Sequence, residues 1–287
     1  MTRSTSLSRR SSTLLRPQRR PRLIRTIVLG VAFATVSVGT TVGAVGQSRF
    51  AEVLPAFATA TDWDLVALLA LGALGFVIAA TVDSDLGTVG FVTVGAFAIL
   101  GAVADGAFLP AVGATLVGSG VAAASQLPSV TSLRSVTAWG ITGALLIGTG
   151  VSIVGALGVE PTPLRTLGGV LLFVGLATLP LWIGVGGIDA ALGIFVGAFL
   201  VGIGTGAPAV MGAVLLGGLG VVGVPLLLVA VGVAGAVATM SGALRQGRPV
   251  TAVGSGLVLA AGIPVSLPAV TAVALGVATI AVREGER

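Results

Sequence analysis

Two pairs of aspartates have the D-x-D spacing that can hold a divalent cation, Asp62 with Asp64 and Asp83 with Asp85. Carboxylate oxygens are ligands that Mg²⁺ and Ca²⁺ prefer. Both pairs border long apolar runs, however, and short polar residues at such borders cap helices and form turns. We therefore interpret the pairs as helix caps and turn formers, and we predict no metal site.

The residue types that are missing exclude more chemistry than the present ones indicate. The chain of 287 residues has no histidine and no cysteine, and all fifteen of its basic residues are arginines. Without histidine or cysteine there is no zinc or haem site of the usual kind and no serine–histidine dyad. Without lysine there is no Schiff base and no P-loop lysine. We expect a protein that is not an enzyme and has no cofactor.

The composition is that of a membrane protein. Hydrophobic residues make up 55% of the chain and charged residues 9%, with a mean hydropathy of +1.12, whereas soluble domains carry about 25% charged residues. Backbone polar groups in lipid need partners within the chain, which leaves helices or a closed barrel. The run from Leu65 to Val82 lacks the alternation of barrel strands. The sequence therefore predicts an all-α, polytopic membrane fold.

The apolar body is long enough for about ten transmembrane helices, with a range of about 8 to 11, because each needs about 20 residues. The clearest candidates are Ile24–Gly46, Trp63–Val82, Leu86–Ala104, Gly106–Ala124, Val136–Gly158 and Thr166–Gly187. The stretch from Ala190 to Met240 has no charge, so its helix boundaries are ambiguous. Further on, the turn at Pro264–Pro268 is predicted to separate two short helices.

The first 23 residues form an Arg- and Ser-rich tail that we predict to be disordered and cytoplasmic. Eight arginines lie in the first 25 positions, and no acidic residue precedes Glu52. Because no basic fold follows the tail, we expect no nucleic-acid partner. The arginines nearest the first helix are predicted to bind anionic lipid. They are Arg16, Arg19, Arg20, Arg22 and Arg25.

The distribution of the other arginines predicts the orientation in the cell membrane. With the tail in the cytoplasm, the positive-inside rule favours a cytoplasmic position for the loops around Arg134 and Arg245. Asp62 and Asp64 then lie outside. Ten spans satisfy this arrangement and leave the short tail 283–287 in the cytoplasm, so both termini are predicted to be cytoplasmic.

A weak internal repeat predicts a parallel duplication of residues 63–158 in residues 166–282, behind the separate first helix at 24–46. The matched segments keep their order along the chain. They are Val94–Phe97 with Val196–Phe199, Pro110–Gly118 with Pro208–Gly217, Val136–Ala138 with Val250–Ala252, and Val151-Ser152 with Val265-Ser266. Chance agreement is easy in a chain rich in alanine, glycine and valine.

Polar residues within or beside the apolar segments are the candidates for a substrate path, since ionisable groups in a membrane are costly and often functional. They are Asp85, Asp105, Asp189, Ser152 and Ser266. The alternative interpretation is that the aspartates form turns and cap helices, while the serines bond to their own helix.

The leading functional hypothesis is a transport-type protein, permease-like or the membrane subunit of a transporter. The sparse charge favours a neutral or lipid-like substrate. A separate ATPase or a second copy of the chain is the expected partner. The alternative hypothesis is a non-catalytic membrane scaffold or assembly subunit, which fits the short loops.

Overall fold

The computed structural model describes residues 63–104, 106–130, 132–159, 161–208 and 223–282. The predicted first helix at 24–46, both predicted tails, the lipid-binding arginines and Asp105 lie outside these residues. The described residues form nine helices: α1 (Trp63–Ala79), α2 (Asp85–Val103), α3 (Phe108–Gln126), α4 (Leu133–Ala156), α5 (Pro161–Ile183), α6 (Gly187–Gly206), α7 (Leu226–Arg245), α8 (Pro249–Ala261) and α9 (Leu267–Ala281).

Six of the described helices, α2 to α7, are long and apolar enough to cross a membrane. The other three are shorter, with 17 residues in α1, 13 in α8 and 15 in α9. At a rise of about 1.5 Å per residue, α8 and α9 are only about 20 and 23 Å long. The turn predicted at Pro264–Pro268 does separate these two short helices, because α8 ends at Ala261 and α9 begins at Leu267.

Short polar side chains start two of the helices. The hydroxyl of Ser84 accepts a hydrogen bond from the N–H of Gly87 at 3.2 Å, which caps α2. Ser132 and Ser135 form a reciprocal capping box at the start of α4. These bonds satisfy N–H groups that have no partner within the helix.

Consecutive helices run in opposite directions, so the bundle has two ends. The Asp64 end holds the starts of α1, α3, α5, α7 and α9, and the Arg134 end holds the starts of α2, α4, α6 and α8. Pairs of close contacts show these directions. Between α2 and α3, Gly90 meets Gly118 while the later Gly101 meets the earlier Ala111, and between α6 and α7, Gly193 meets Ala234 while Gly197 meets Ala230. The loops that carry Arg134 and Arg245 therefore share one end.

The short helix α9 occupies the centre of the bundle. All of its fifteen residues are buried, and it packs against α1, α2, α3, α4 and α8. The hydroxyl of Ser119 in α3 donates a hydrogen bond of 2.6 Å to the carbonyl of Ala274. The core is thus built around a helix without an exposed face.

Helix α6 lies at the periphery and packs chiefly against α7. Gly193 and Gly197, four residues apart, meet the backbone of α7 at Ala234 and Ala230, so the two helices pack closely there. Gly202 and Gly206 have the same spacing, but no described atom lies within 4 Å of the place where their Cβ would be. One face of α6 is therefore left uncovered by the described chain.

The internal repeat receives mixed support from the local structure. For two of the matched pairs the helices run in the same sense, α2 with α6 and α4 with α8, as a parallel duplication requires. The matched segment Pro208–Gly217 lies, after Pro208, outside the described residues. Ser152 lies inside the single long helix α4, however, whereas its matched residue Ser266 lies in the turn between α8 and α9. The duplication therefore stays a prediction.

Candidate functional site

A cleft of about 370 Å³ opens at the Asp64 end of the bundle. The polar residues of its lining are Asp64 and Ser266, one of the predicted path residues. The apolar lining includes Leu65, Leu68, Phe108 and Leu267. Pockets for small ligands have volumes of about 300–1,000 Å³, so the cleft has room for a small molecule or a lipid headgroup.

Helix starts determine where the polar groups of the cleft lie. Asp64 is in the first turn of α1, and Ser266 is the residue that precedes α9. A serine at this position usually caps its helix, but the Ser266 hydroxyl makes no capping hydrogen bond. The hydroxyl is therefore available to a ligand in the cleft.

Ser152, another predicted path residue, packs between helices and does not line the cleft. It is fully buried in α4, and its Oγ lies against Gly168 of α5. This hydroxyl has no hydrogen-bond partner in the described part of the chain. A weak contact between a glycine Cα–H and the hydroxyl fits such a close helix crossing.

Asp189 lies at the opposite end, in the first turn of α6, and is only 5% exposed. Its Oδ1 accepts a hydrogen bond from the Ser241 hydroxyl and lies 3.1 Å from Nε of Arg245. Both partners belong to α7. The cluster joins the start of α6 to the end of α7, and the positive end of the α6 dipole also favours a carboxylate there.

Asp85, the remaining described path residue, is exposed in the first turn of α2, directly after the capping Ser84. It shares the Arg134 end with Asp189, but α2 packs against α1, α3 and α9, whereas α6 packs chiefly against α7. The structure thus distributes the described path residues over separate places. In the described ranges, no group of three or more histidine, cysteine or acidic residues could hold a metal ion.

Sequence reasoning missed the contacts that hold the turn between α5 and α6. Arg134 donates from Nε and Nη2 to the carbonyl of Trp182, at 3.2 and 3.0 Å. Gln246 donates to the carbonyl of Gly184 at 3.2 Å. Trp182 lies in the last turn of α5 and Gly184 directly follows that helix. Carbonyls at a helix end have no donors within the helix, so the side chains of Arg134 in α4 and of Gln246, the residue after α7, supply N–H groups.

One sequence signal could have revealed the pairing of Asp189 with Arg245. The two charges flank the uncharged stretch from Ala190 to Met240. If that stretch is a helical hairpin, its two ends meet at one side of the bundle. The negative charge of Asp189 at one end can then pair with the positive charge of Arg245 at the other end.

The bundle defines a class of protein, a helical integral membrane protein. It combines six membrane-length apolar helices with an apolar exterior, on which large side chains such as Ile194, Phe195 and Phe199 are exposed. Trp139 is partly exposed near the Arg134 end and donates to the carbonyl of Pro128 at 3.1 Å. Tryptophans in such a position are typical of the membrane interface.

The chain belongs to an integral membrane family of unknown function, DUF8068, whose model matches residues 26–281. No curated protein and no solved structure matches the chain. Membrane localisation thus has two independent supports, the helices and the family.

Proposed function

We propose that this protein is a non-enzymatic, transport-type membrane protein that admits a neutral or lipid-like molecule through the cleft at the Asp64 end. The observation that carries the proposal is that this cleft lies next to the turn between α8 and α9. This turn contributes Val265, Ser266, Leu267 and Pro268 to the lining. The cleft therefore meets the central helix of the bundle at its first residue.

The arrangement of α8 and α9 supports the proposal. Transport sites often lie where short or discontinuous helices end inside a bundle, because their free backbone groups can meet a substrate. Here both helices are shorter than the hydrocarbon thickness of about 30 Å, and their turn lies among α1, α2 and α3. The small number of polar groups favours a substrate without net charge.

The same proposal includes a location and an orientation. We place the protein in the cell membrane with about ten spans, and with the Arg134 end and both termini in the cytoplasm. The arginines of the tail would then contact anionic lipid headgroups, at about 1 kcal/mol each. The shared end of Arg134 and Arg245 supports this orientation.

Reconstitution into liposomes tests the transport function. Stopped-flow light scattering would measure entry of neutral polyols, and dithionite quenching of NBD-labelled phospholipid would measure lipid movement. We expect one of the two rates to exceed that of empty liposomes. The Ser266→Trp variant, which fills the cleft, should lose the increase. The control Val117→Trp introduces the same side chain at a position that is 66% exposed on α3, and should keep the increase. Rates equal to those of empty liposomes in both assays would reject the proposal.

The uncovered face of α6 favours a second candidate function, a membrane scaffold or assembly subunit. Only 17% of the apolar window of α6 is buried in the described chain. Small residues let membrane helices approach closely, so the face around Gly202 and Gly206 suits a second copy of the chain. A separate ATPase is the other expected partner, and gentle detergent purification would retain it.

Thiol crosslinking tests the scaffold function, because the chain has no native cysteine. Gly202→Cys should give crosslinked dimers in membranes if two copies meet through α6. Gly140→Cys is the matched control, since Gly140 also has open space around it but lies on α4. Equal crosslinking of the two variants would exclude a specific α6 interface.

A further inference from the structure

We propose that the cleft at the Asp64 end binds a zwitterion, a molecule that carries an ammonium group and an anionic oxygen group and has no net charge. This inference deepens the proposed function and rests on the same cleft. The substrate class would then be the headgroup of a zwitterionic lipid or a free zwitterion of the same chemistry. Three features of the lining support it: a carboxylate, a helix start with a free hydroxyl, and an apolar wall.

In this proposal, Asp64 and Phe108 bind the ammonium group. Both residues belong to the lining of the cleft. A carboxylate has about four lone-pair sites, so Asp64 can accept from an ammonium group as well as from its other contacts. The face of an aromatic ring also attracts a cation within about 6 Å.

In this proposal, the start of α9 binds the anionic group. The first N–H groups of a helix have no partner within that helix, and they form the positive end of its dipole. The first two residues of α9 belong to the lining of the cleft. Leu267 has a backbone N–H at this end, whereas Pro268 has none. The Ser266 hydroxyl, which makes no capping bond, adds a donor. Helix starts of this kind bind phosphate and carboxylate groups.

Neither half of the ligand suits the cleft alone. A simple cation would meet the positive end of α9, and a simple anion would meet the carboxylate of Asp64. A zwitterion satisfies both groups at once. The apolar side chains Leu65, Leu68 and Leu267 then contact its hydrocarbon part.

Protection of a single thiol tests the inference in the purified full-length protein. Val265 lines the cleft and is 42% exposed, so Val265→Cys places the only thiol of the chain beside the site. The probes are glycerophosphoethanolamine, ethanolamine and inorganic phosphate, and the readout is the rate of reaction with a maleimide. Glycerophosphoethanolamine is a phosphate diester with one negative charge, so its ammonium group leaves it without net charge. We expect saturating glycerophosphoethanolamine to slow labelling about tenfold. Equal protection by ethanolamine or by phosphate alone would overturn the inference.

Two matched variants in this background test the role of Asp64. Asp64→Asn should raise the Kd of glycerophosphoethanolamine about tenfold or more, because it removes a charged hydrogen-bond partner. Asp85→Asn should not change the Kd, since Asp85 also lies in the first turn of its helix, α2, but at the opposite end of the bundle. Ser266→Ala, which loses no capping bond, should weaken binding independently. A Kd that is unchanged by both cleft substitutions would overturn the inference.

A second arm distinguishes a lipid headgroup from a free zwitterion. The same thiol would be labelled in nanodiscs with and without phosphatidylethanolamine. Protection in this arm alone identifies a lipid headgroup, and protection by soluble glycerophosphoethanolamine identifies a free ligand. Absence of protection in both arms would overturn the inference. Zwitterion binding without movement in liposomes would reject the transport function and leave the binding site intact.

Discussion

Gly235 of α7 packs directly on the main-chain carbonyl of Leu176 in α5. This carbonyl has no helical donor, because the residue four positions later is Pro180, which lacks an N–H group. Helix α5 nevertheless continues through Pro180 to Ile183. The Cα–H of a glycine can approach a carbonyl closely and form a weak hydrogen bond. Gly235 thus covers the gap that Pro180 leaves in α5.

Gly235→Ala should destabilise the bundle by about 1–3 kcal/mol, because the added methyl group would overlap the Leu176 carbonyl. Gly140→Ala in α4 is the matched control. It adds the same methyl group in open space and should stabilise the helix by about 0.5–1 kcal/mol. Thermal unfolding in detergent, followed by tryptophan fluorescence, would measure both. Shifts of the same sign in the two variants would contradict the contact.

Asp189→Asn should lower the free energy of unfolding by about 1–2 kcal/mol, since it removes the charge that meets Ser241 and Arg245. We expect no larger effect because the Arg245 side chain is 57% exposed and its ion pair is screened by water. Asp85→Asn is the control at an exposed first-turn position and should change stability by less than about 0.5 kcal/mol. Equal losses in the same unfolding assay would show that helix-dipole effects alone act at both sites.

Ser119→Ala should destabilise the protein by about 1 kcal/mol, because it removes the hydrogen bond between α3 and the Ala274 carbonyl of α9. The control is Ser255→Ala in α8. Ser255 is equally buried, but its hydroxyl donates to Thr251 of its own helix, so its loss should be close to neutral. A larger effect at Ser255 would argue against a stabilising role of the bond between α3 and α9.

Single-cysteine labelling in intact cells should reveal opposite sides for the two ends of the bundle. We expect a membrane-impermeant maleimide to label Val265→Cys from outside. Gln246→Cys, at the exposed end of α7, should react only after the cells are opened. Labelling of Gln246→Cys in intact cells would reverse the proposed orientation, and labelling of both would contradict the separation of the ends.

The positions of the helices along the chain were predicted from the sequence better than the packing of the helices against one another. Apolar length and turn residues located α1 to α5 and the turn before α9 to within several residues. The same sequence could not show that α9 is central and α6 peripheral. In a membrane, side chains that face lipid and side chains that face the core are equally apolar, so no amphipathic pattern distinguishes a buried helix from an exposed one.

The candidate site was predictable only in part, for a related reason. Ser266 was recognised as a polar residue near a predicted turn, and it does line the cleft. Asp64 was interpreted as a helix cap. Its proximity to Ser266 arises from the packing of α1 beside α9, and the sequence does not show this packing. Ser152 and Ser266 look alike in sequence, but one packs against a glycine and the other lies beside an open cleft.

The central position of α9 has a consequence for biogenesis. This helix follows the eight other described helices in the chain, so the ribosome makes the centre of the bundle after its surroundings. Until α9 leaves the translocation machinery, α1 to α4 cannot form their final contacts with it. Before that point the surfaces that α9 covers must contact something else, namely lipid, an insertion factor or one another, and α9 then displaces those contacts.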